Sequence, residues 1–233
     1  MKEFDYYLIG EVALAHDGSL GQAHKYIDMA SDLGLDAVKF QIHLAEYESS
    51  DDEPFRTKFS YQDDNRKSYW NRTSFDKSEW IKLRGYARSK SIDFIITPFS
   101  LEAVDLCKDL SVDYLKVGSG DVDFIQLLKK IQLTNIPYMI SSGMSSTEDL
   151  INIFKLIDFK PFALFHCISS YPTTPESWHL KRIEQFNKIF YPITNVGLSD
   201  HSGSILPTLI SYSLGARIFE FHLSINKSYS FGP

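Results

Sequence analysis

Residues 193–222 read ITNVGLSDHSGSILPTLISYSLGARIFEFH. Two apolar, β-prone runs at 193–198 and 216–222 flank a segment of helical character, which is the pattern of a βαβ unit. His201 follows the first run and His222 ends the second. Because parallel strand ends lie side by side, this pattern places the two imidazoles near each other. Two imidazoles can hold a divalent metal, whereas a single histidine more often packs in a core or caps a helix, and spacing alone leaves both interpretations open.

The same alternation of strands and helices continues through the chain. Strands are predicted at residues 6–12, 36–43, 93–97, 114–117, 138–140, 162–166, 193–198 and 217–222. Between the later strands, helices are predicted at residues 101–110, 124–132, 147–157, 178–187 and 205–214. The pattern predicts one α/β domain over residues 1–233, a (β/α)8 TIM barrel. A doubly wound open sheet is the alternative, but no Gly-x-Gly-x-x-Gly fingerprint follows the first strand.

Helix starts are predicted where a capping side chain is followed three residues later by a carboxylate or amide. This pattern occurs at Ser19 with Gln22, at Asp76 with Glu79, and at Ser145 with Glu148.

Two regions depart from a regular barrel. Residues 45–75 are acidic, basic and aromatic in turn, and their length predicts a functional loop or an inserted lid. The eighth strand ends near His222, and the few residues that follow leave no room for an eighth helix. The sequence therefore predicts a barrel that lacks this helix, either truncated after strand eight or covered there by a partner.

Composition narrows the class of protein. Hydrophobic residues make up 43% and charged residues 23% of the chain, as in ordinary soluble globular proteins. The net charge of −6 argues against a nucleic-acid partner or an anionic membrane, and no stretch is long enough to span a bilayer. Cys107 and Cys167 each lie in an apolar run, which favours free thiols in a reducing cytoplasm.

Polar and aromatic side chains recur at the predicted C-terminal strand ends, where the active sites of such barrels lie. They are Glu11, Lys39, Gln41, Thr97, Phe99, Lys116, Ser119, Asp121, Ser141, Ser142, Ser169, Tyr171, Ser199, His201 and His222. Two lysines with several hydroxyls predict a site for a compact anion such as phosphate. The alternative for Lys39 is a salt-bridged core lysine, and for any single serine it is a helix cap, which is the role we predict for Ser145.

A set of motifs resembles the sialic-acid synthase family. The motifs are VKFQ at 38–41, TPFS at 97–100, KVGSGD at 116–121, SSGM at 141–144, YPTTP at 171–175, LSDHSG at 198–203 and EFH at 220–222. The resemblance covers nearly the whole chain, from EVALAHDG at 11–18 to FGP at 231–233, and the motifs are specific as an ordered set.

This resemblance implies an enzyme that condenses phosphoenolpyruvate with an open-chain N-acylated amino sugar, giving a nonulosonic (sialic-type) acid and phosphate. It implies Mn²⁺, or another divalent cation such as Mg²⁺ or Co²⁺, and a domain-swapped homodimer. His201 and His222 would be the metal ligands. The residues implied to bind phosphoenolpyruvate are Lys39, Thr97, Lys116, Ser119, Ser141 and Ser199. Glu11, Phe99 and Tyr171 would face the sugar, and Glu11 or Asp121 would transfer protons.

Three departures from the family pattern affect the sugar end of the site. The usual Asn-His-Asn-Gly turn reads Ala15-His16-Asp17-Gly18, and Asp121 stands where the family usually has a glutamate. The aspartate, eighth helix and small antifreeze-like domain that the family carries after its Gly-Pro have no counterpart in these 233 residues.

Two other functions are compatible with the residues. Lys39 or Lys116 could serve as the nucleophile of a Schiff-base aldolase. A non-catalytic phosphate-binding barrel is the other alternative.

Overall fold

Eight parallel strands close into a barrel in chain order, from β1 to β8, in the computed structural model. The structure describes residues 5–55, 60–157, 160–192 and 194–225. The strands are β1 (Tyr7–Ala13), β2 (Ala37–Ile42), β3 (Asp93–Pro98), β4 (Tyr114–Val117), β5 (Tyr138–Ser141), β6 (Ala163–Cys167), β7 (Asn195–Asp200) and β8 (Ile218–His222). The predicted (β/α)8 architecture is confirmed, and the open-sheet alternative is excluded by the pairing of β1 with β8.

Helices alternate with the strands on the outside of the barrel, and shorter helices lie in the insertion after β2. They are α1 (Leu20–Asp32), α2 (Ala45–Glu48), α3 (Arg66–Thr73), α4 (Lys77–Ser89), α5 (Leu101–Leu110), α6 (Ile125–Gln132), α7 (Thr147–Leu156), α8 (Lys181–Phe190) and α9 (Leu206–Ser213). None of the helices in these ranges combines the length and apolar character that crossing a membrane requires. The prediction that no eighth barrel helix follows β8 concerns residues 226–233, which lie outside the described residues, as does the start of the strand predicted from residue 193.

Two of the three predicted helix starts are confirmed. Ser19 accepts a hydrogen bond from Gln22 N, and Asp76 with Glu79 forms a reciprocal capping box. The third prediction is wrong by one residue, because Ser146 with Asp149 caps α7. Ser146 has the extended backbone that a cap requires, whereas Ser145 N bonds back to Ser142 O in the preceding turn.

Buried apolar side chains form two layers around the sheet. The larger cluster lies between the strands and the outer helices, as a barrel requires. The smaller one fills the lower interior of the barrel and consists of Tyr7, Ile9, Ala37, Ile95, Met139, Ala163, Phe165 and Ile218. This inner cluster, called the floor below, lies towards the N-terminal ends of the strands and leaves the C-terminal ends for polar side chains.

The predicted insertion contains two helices, α2 and α3, which pack over the C-terminal end of the barrel. Ala45, Tyr69 and Trp70 form a separate buried cluster there. Arg72 of α3 pairs with Asp63 and with Asp17 in the β1–α1 turn, at 2.8 and 2.9 Å. The insertion is therefore packed against the barrel mouth in the part of it that the structure describes.

Candidate functional site

The candidate site lies at the C-terminal ends of the strands, inside the barrel. Residues two apart on a strand share a face, so Lys39 and Gln41 of β2 form one inward pair, and Glu220 and His222 of β8 form another. Glu11 of β1 is in register with Lys39 on one side and with His222 on the other. Barrel closure thus brings residues from the two halves of the chain to one place.

Two buried lysines in this site are each paired with a buried glutamate. Lys39 Nζ lies 2.8 Å from Glu11 Oε2 and 3.8 Å from Glu220 Oε1. Lys116 Nζ lies 2.9 Å from Glu220 Oε2 and 4.3 Å from the ring centroid of Phe165. The predicted alternative of a salt-bridged lysine therefore holds for Lys39, and it extends to Lys116. Two positive and two negative groups share the barrel mouth.

Neighbouring polar side chains hold this charge cluster in place. Lys39 Nζ donates to Thr97 Oγ1 at 3.3 Å, and Ser199 Oγ donates to Glu220 Oε1 at 2.9 Å. Gln41 Nε2 donates to Glu11 Oε1 at 3.1 Å. Charged groups removed from water are stable only when their hydrogen-bonding capacity is met in this way.

The two glutamates differ in how readily they take up a proton. Burial raises the pKa of Glu11, aided by the negative charge of Glu220 and opposed by Lys39. Burial also disfavours ionised Glu220, but Lys116 and Lys39 outweigh it and hold the pKa of Glu220 below its usual range. Glu11 is therefore the carboxylate of this cluster that accepts a proton more easily.

The two buried lysines also differ in how firmly each holds its proton. Burial lowers the pKa of Lys116 and is only partly offset by Glu220. For Lys39, burial is outweighed by Glu11 and Glu220 together, which raise the pKa of its ammonium group. Lys39 is accordingly the more firmly charged of the two.

The two histidines predicted as metal ligands lie together at the mouth, with their ring centroids 5.5 Å apart. His201 Nδ1 is 2.9 Å from Ile168 O, and because a carbonyl can only accept, Nδ1 carries the hydrogen and Nε2 keeps a free lone pair. Burial lowers the pKa of both rings, and Lys39 adds to the effect at His222, whose pKa falls to about 4. Neutral imidazoles with a free nitrogen suit a divalent metal. Across the described residues, no group of three or more His, Cys, Asp or Glu side chains is arranged as a metal site.

Hydroxyl groups predicted to bind an anion lie around the same opening. Ser119 Oγ accepts from Gly143 N at 3.1 Å. A Cβ at Gly143 would lie 2.8 Å from Ser119 Oγ and 2.6 Å from Ser169 Oγ, so a side chain at this position would displace both hydroxyl groups. Ser141 ends β5 and is buried.

Asp121 lies in the β4–α6 loop at the edge of the site. Burial raises its pKa to about 6, with contributions from the nearby charges of Glu48 and Asp123. This carboxyl group can therefore hold or release a proton close to neutral pH. Phe99 and Tyr171 supply aromatic surface: Phe99 stacks on His43 at 4.2 Å, and the half-exposed Tyr171 ring lies 4.1 Å from His201.

The turn at residues 15–18, which departs from the family's usual sequence, contacts the insertion directly. Asp17 adopts a positive φ of 49° and its carboxylate binds Arg72. Gly18 has a φ of +76°, and a Cβ there would lie 2.6 Å from Arg72 O. The turn and the insertion are thus fitted to each other.

Sequence reasoning left Glu220, His43 and Glu48 out of the site. Glu220 could have been found, because it precedes His222 by two residues on the same strand and so shares its inward face. The other two lie at the start of the insertion, where no periodic pattern shows which way a side chain points.

Comparison with known proteins agrees with this geometry. A sequence profile of the NeuB family matches residues 26–232. The chain is 31% identical over 234 residues to N,N'-diacetyllegionaminic acid synthase of Campylobacter jejuni, covering 97% of this chain and 69% of that protein. It is 30% identical over 233 residues to human N-acetylneuraminate-9-phosphate synthase, covering 96% of this chain.

The chain spans only 63% of the human synthase's length. Among solved structures, N-acetylneuraminic acid (sialic acid) synthetase from Leptospira borgpetersenii, in complex with citrate, superposes with a TM-score of 0.81 at 28% identity. That match covers 96% of this chain and 74% of the other.

Proposed function

The chain belongs to the NeuB family, and from this membership we propose that it is the catalytic barrel of a phosphoenolpyruvate-dependent nonulosonic acid synthase. The proposed reaction joins phosphoenolpyruvate to an N-acylated amino sugar, such as N-acetylmannosamine, and releases phosphate. The relatives named as synthases of neuraminic and legionaminic acids support this class of product.

The observation that carries the proposal is the pair of buried lysines beside two neutral histidines. Phosphoenolpyruvate brings a phosphate and a carboxylate, and Lys39 and Lys116 would neutralise them. Because each lysine is already paired with a glutamate, the incoming anion needs extra positive charge at the mouth. Uptake of a proton by Glu11, whose pKa is already raised, would supply it.

The hydroxyl groups would then orient the bound anion. The residues proposed for this role are Thr97, Ser119, Ser141 and Ser199. The C3 carbon of phosphoenolpyruvate would form a bond to the sugar aldehyde carbon, water would add at C2, and the resulting hemiketal phosphate would lose phosphate by C–O cleavage. Asp121 and Glu11, the site's carboxyl groups with raised pKa, are the proposed proton carriers.

A divalent cation, Mn²⁺ or one such as Mg²⁺ or Co²⁺, is part of the proposal. The Nε2 lone pair of His201 and the neutral ring of His222 fit such an ion. When bound, the cation would act as a Lewis acid on the sugar aldehyde. The chain's own contribution would be to hold the two imidazoles neutral, through burial and through the positive charge of the lysines.

The sugar would occupy the outer part of the mouth. Glu11, Phe99 and Tyr171 are proposed to face it, and the insertion would form one wall. The carboxylate of Asp17 is already paired with Arg72, so this turn offers the sugar a different surface from the amide that the family resemblance implies.

We include a homodimer and a cytoplasmic location in the proposal. The two buried free thiols, Cys107 and Cys167, and the net negative charge are compatible with a reducing compartment.

A phosphate-release assay with phosphoenolpyruvate, Mn²⁺ and a panel of N-acylated amino sugars tests this function. We expect release only when a sugar and the cation are both present, and loss of release on adding a chelator. Alanine at His201 or His222 should abolish this cation-dependent release, while His179→Ala, at an exposed position in the loop before α8, should leave turnover unchanged.

Two outcomes would favour the alternatives. Trapping of a pyruvate adduct by borohydride, with activity that survives the chelator, would favour a Schiff-base aldolase using Lys39 or Lys116. Binding of phosphoenolpyruvate without turnover of any sugar would favour a non-catalytic phosphate-binding barrel.

A further inference from the structure

His43, immediately after β2, is held between two aromatic rings. Its ring stacks on Trp70 of the insertion, with centroids 4.4 Å apart and planes inclined by 6°. On its other face it stacks on Phe99 of the β3–α5 loop, at 4.2 Å and 9°. The side chain is 9% exposed. A ring packed on both faces can rotate very little, so the directions of its two nitrogens are set.

Both nitrogens of His43 point at oxygen atoms. Nδ1 lies 2.6 Å from Glu48 Oε2, and Glu48 is itself oriented by Leu44 N, which donates to Oε1 at 2.6 Å. Nε2 lies 3.3 Å from Gln41 Oε1. The Gln41 amide is turned this way because its NH₂ group donates to Glu11 at 3.1 Å.

These contacts form one continuous chain of hydrogen bonds from the insertion to the charge cluster. It runs from Glu48 through His43 and Gln41 to Glu11, whose other oxygen binds Lys39. Glu48 Oε2 and Gln41 Oε1 both lie within hydrogen-bond distance of the His43 ring, one at each nitrogen. Because the ring is also packed on both faces, it holds these two side chains in fixed positions relative to each other.

Asp121, a second carboxyl group of the site, lies near these hydrogen-bonded residues. Phe99, which covers His43, lies beside Gly118, and Asp121 Oδ2 approaches that glycine from the loop. The nearby charge of Glu48 contributes to the raised pKa of Asp121. His43 and Glu48 therefore lie close to both carboxyl groups proposed to carry protons.

We propose that His43 is a positioning residue of this site: through Gln41 it holds the Glu11 carboxylate against Lys39, and through Glu48 it links that arrangement to the insertion. The inference rests on the proposed function for its effect on turnover. Its structural part, a His43 ring whose two nitrogens hold Gln41 and Glu48, can be tested without any turnover.

The structural part is tested by nuclear magnetic resonance on protein carrying isotope-labelled histidine. The His43 signals are identified as those that disappear in His43→Phe. We expect the Nε2 signal of His43 to move in Gln41→Leu and the Nδ1 signal to move in Glu48→Gln, because each substitution removes one hydrogen-bond partner of the ring. If either signal stays in place, the link to Gln41 or to Glu48 is absent and the proposal is overturned, whether or not the chain is an enzyme.

The positioning role is tested by a double-mutant cycle between His43→Phe and Gln41→Leu. Phenylalanine keeps a flat ring between Trp70 and Phe99 but removes both hydrogen bonds. We expect kcat to fall about 10-fold in His43→Phe with the KM for phosphoenolpyruvate within about twofold, because a small displacement of a catalytic group lowers the rate more than ground-state binding. If His43 acts through Gln41, the double variant should be no slower than Gln41→Leu.

Fully additive losses would contradict the proposal, and so would a loss of kcat that matches a loss of folded protein in thermal unfolding. His24→Phe is the matched control, because His24 also contacts an aromatic ring, Tyr86 at 4.8 Å, but lies on α1 outside the barrel. It should leave kcat unchanged. If wild type turns over no sugar, the proposed function fails, and the nuclear magnetic resonance test alone then decides whether His43 holds Gln41 and Glu48.

Discussion

The floor of this barrel and its mouth, at the C-terminal ends of the strands, are built from neighbouring positions on the same strands. The floor positions carry apolar side chains and the mouth positions carry polar or charged ones. Ile9, Ala37, Ile95 and Ile218 belong to the apolar floor. Two residues further along the same strands, and therefore on the same inward face, stand Glu11, Lys39, Thr97 and Glu220. On each of these strands, a single inward step leads from the apolar floor to a polar or charged side chain.

This difference shows how the barrel separates stability from chemistry. The floor gains free energy by removing apolar surface from water, and its packing holds the strands in register. The mouth places charges in an environment that disfavours them, and each is tolerated only because an opposite charge lies close by. Changes in the floor should therefore affect unfolding alone, whereas changes in the mouth should affect unfolding and ligand binding together.

The largest loss of stability is expected from Glu220→Ala, which removes a buried carboxylate from the mouth of the barrel. It leaves Lys116 without its ion-pair partner and Ser199 without its acceptor in a buried site. We expect a loss of about 3–5 kcal/mol in the free energy of unfolding, measured by urea denaturation. A loss below about 1 kcal/mol would mean that Lys116 either becomes hydrated or loses its proton, and so no longer needs an ion-pair partner.

The next effect is expected from Ile95→Ala, which opens a cavity in the floor. Ile95 is fully buried there, and the expected loss of stability is about 2–5 kcal/mol. Binding of phosphoenolpyruvate to the folded variant, measured by calorimetry, should remain within about twofold of wild type, since a fully buried floor residue makes no direct ligand contact. A large loss of affinity would show that floor and mouth are not separable.

A smaller, pH-dependent effect is expected at Asp121, on the rim of the mouth. Because its pKa in the folded protein is raised to about 6, the folded state holds this proton more tightly than the unfolded chain does. The stability it contributes is present at low pH and is lost as the pH rises through about 6. Relative to Asp121→Asn, wild type should therefore lose about 1–2 kcal/mol between about pH 4 and pH 8. Parallel pH profiles of the two proteins in urea denaturation would contradict the raised pKa.

The smallest effect is expected where the insertion meets the barrel. Arg72→Ala removes the ion pairs to Asp63 and Asp17, and because the arginine is partly exposed we expect a loss of only about 1 kcal/mol. Limited proteolysis should cut the insertion faster in this variant. Lys77→Ala, which breaks a pair whose two side chains are more than half exposed, should change neither measurement; equal cleavage of the Arg72 variant and wild type would show that the pair does not hold the insertion.

The sequence by itself determined the barrel, the order of its strands and most of the residues at its mouth. Apolar, β-prone runs and helical periodicity are local properties, and they placed Lys39, Lys116, His201 and His222 at the C-terminal ends of predicted strands. The family motifs lie at those same ends, so the resemblance and the physical argument meet at the same residues.

Only the tertiary structure decided which of these groups are partners. Lys116 pairs with Glu220, which lies 104 residues away in sequence, and His43 reaches Glu11 through Gln41 while resting on a tryptophan of the insertion. Periodicity tells which face of a strand a side chain occupies, but the distance across a closed barrel depends on all eight strands at once. For this reason the charge balance of the mouth, and the role of His43 behind it, could not be predicted from the order of the residues.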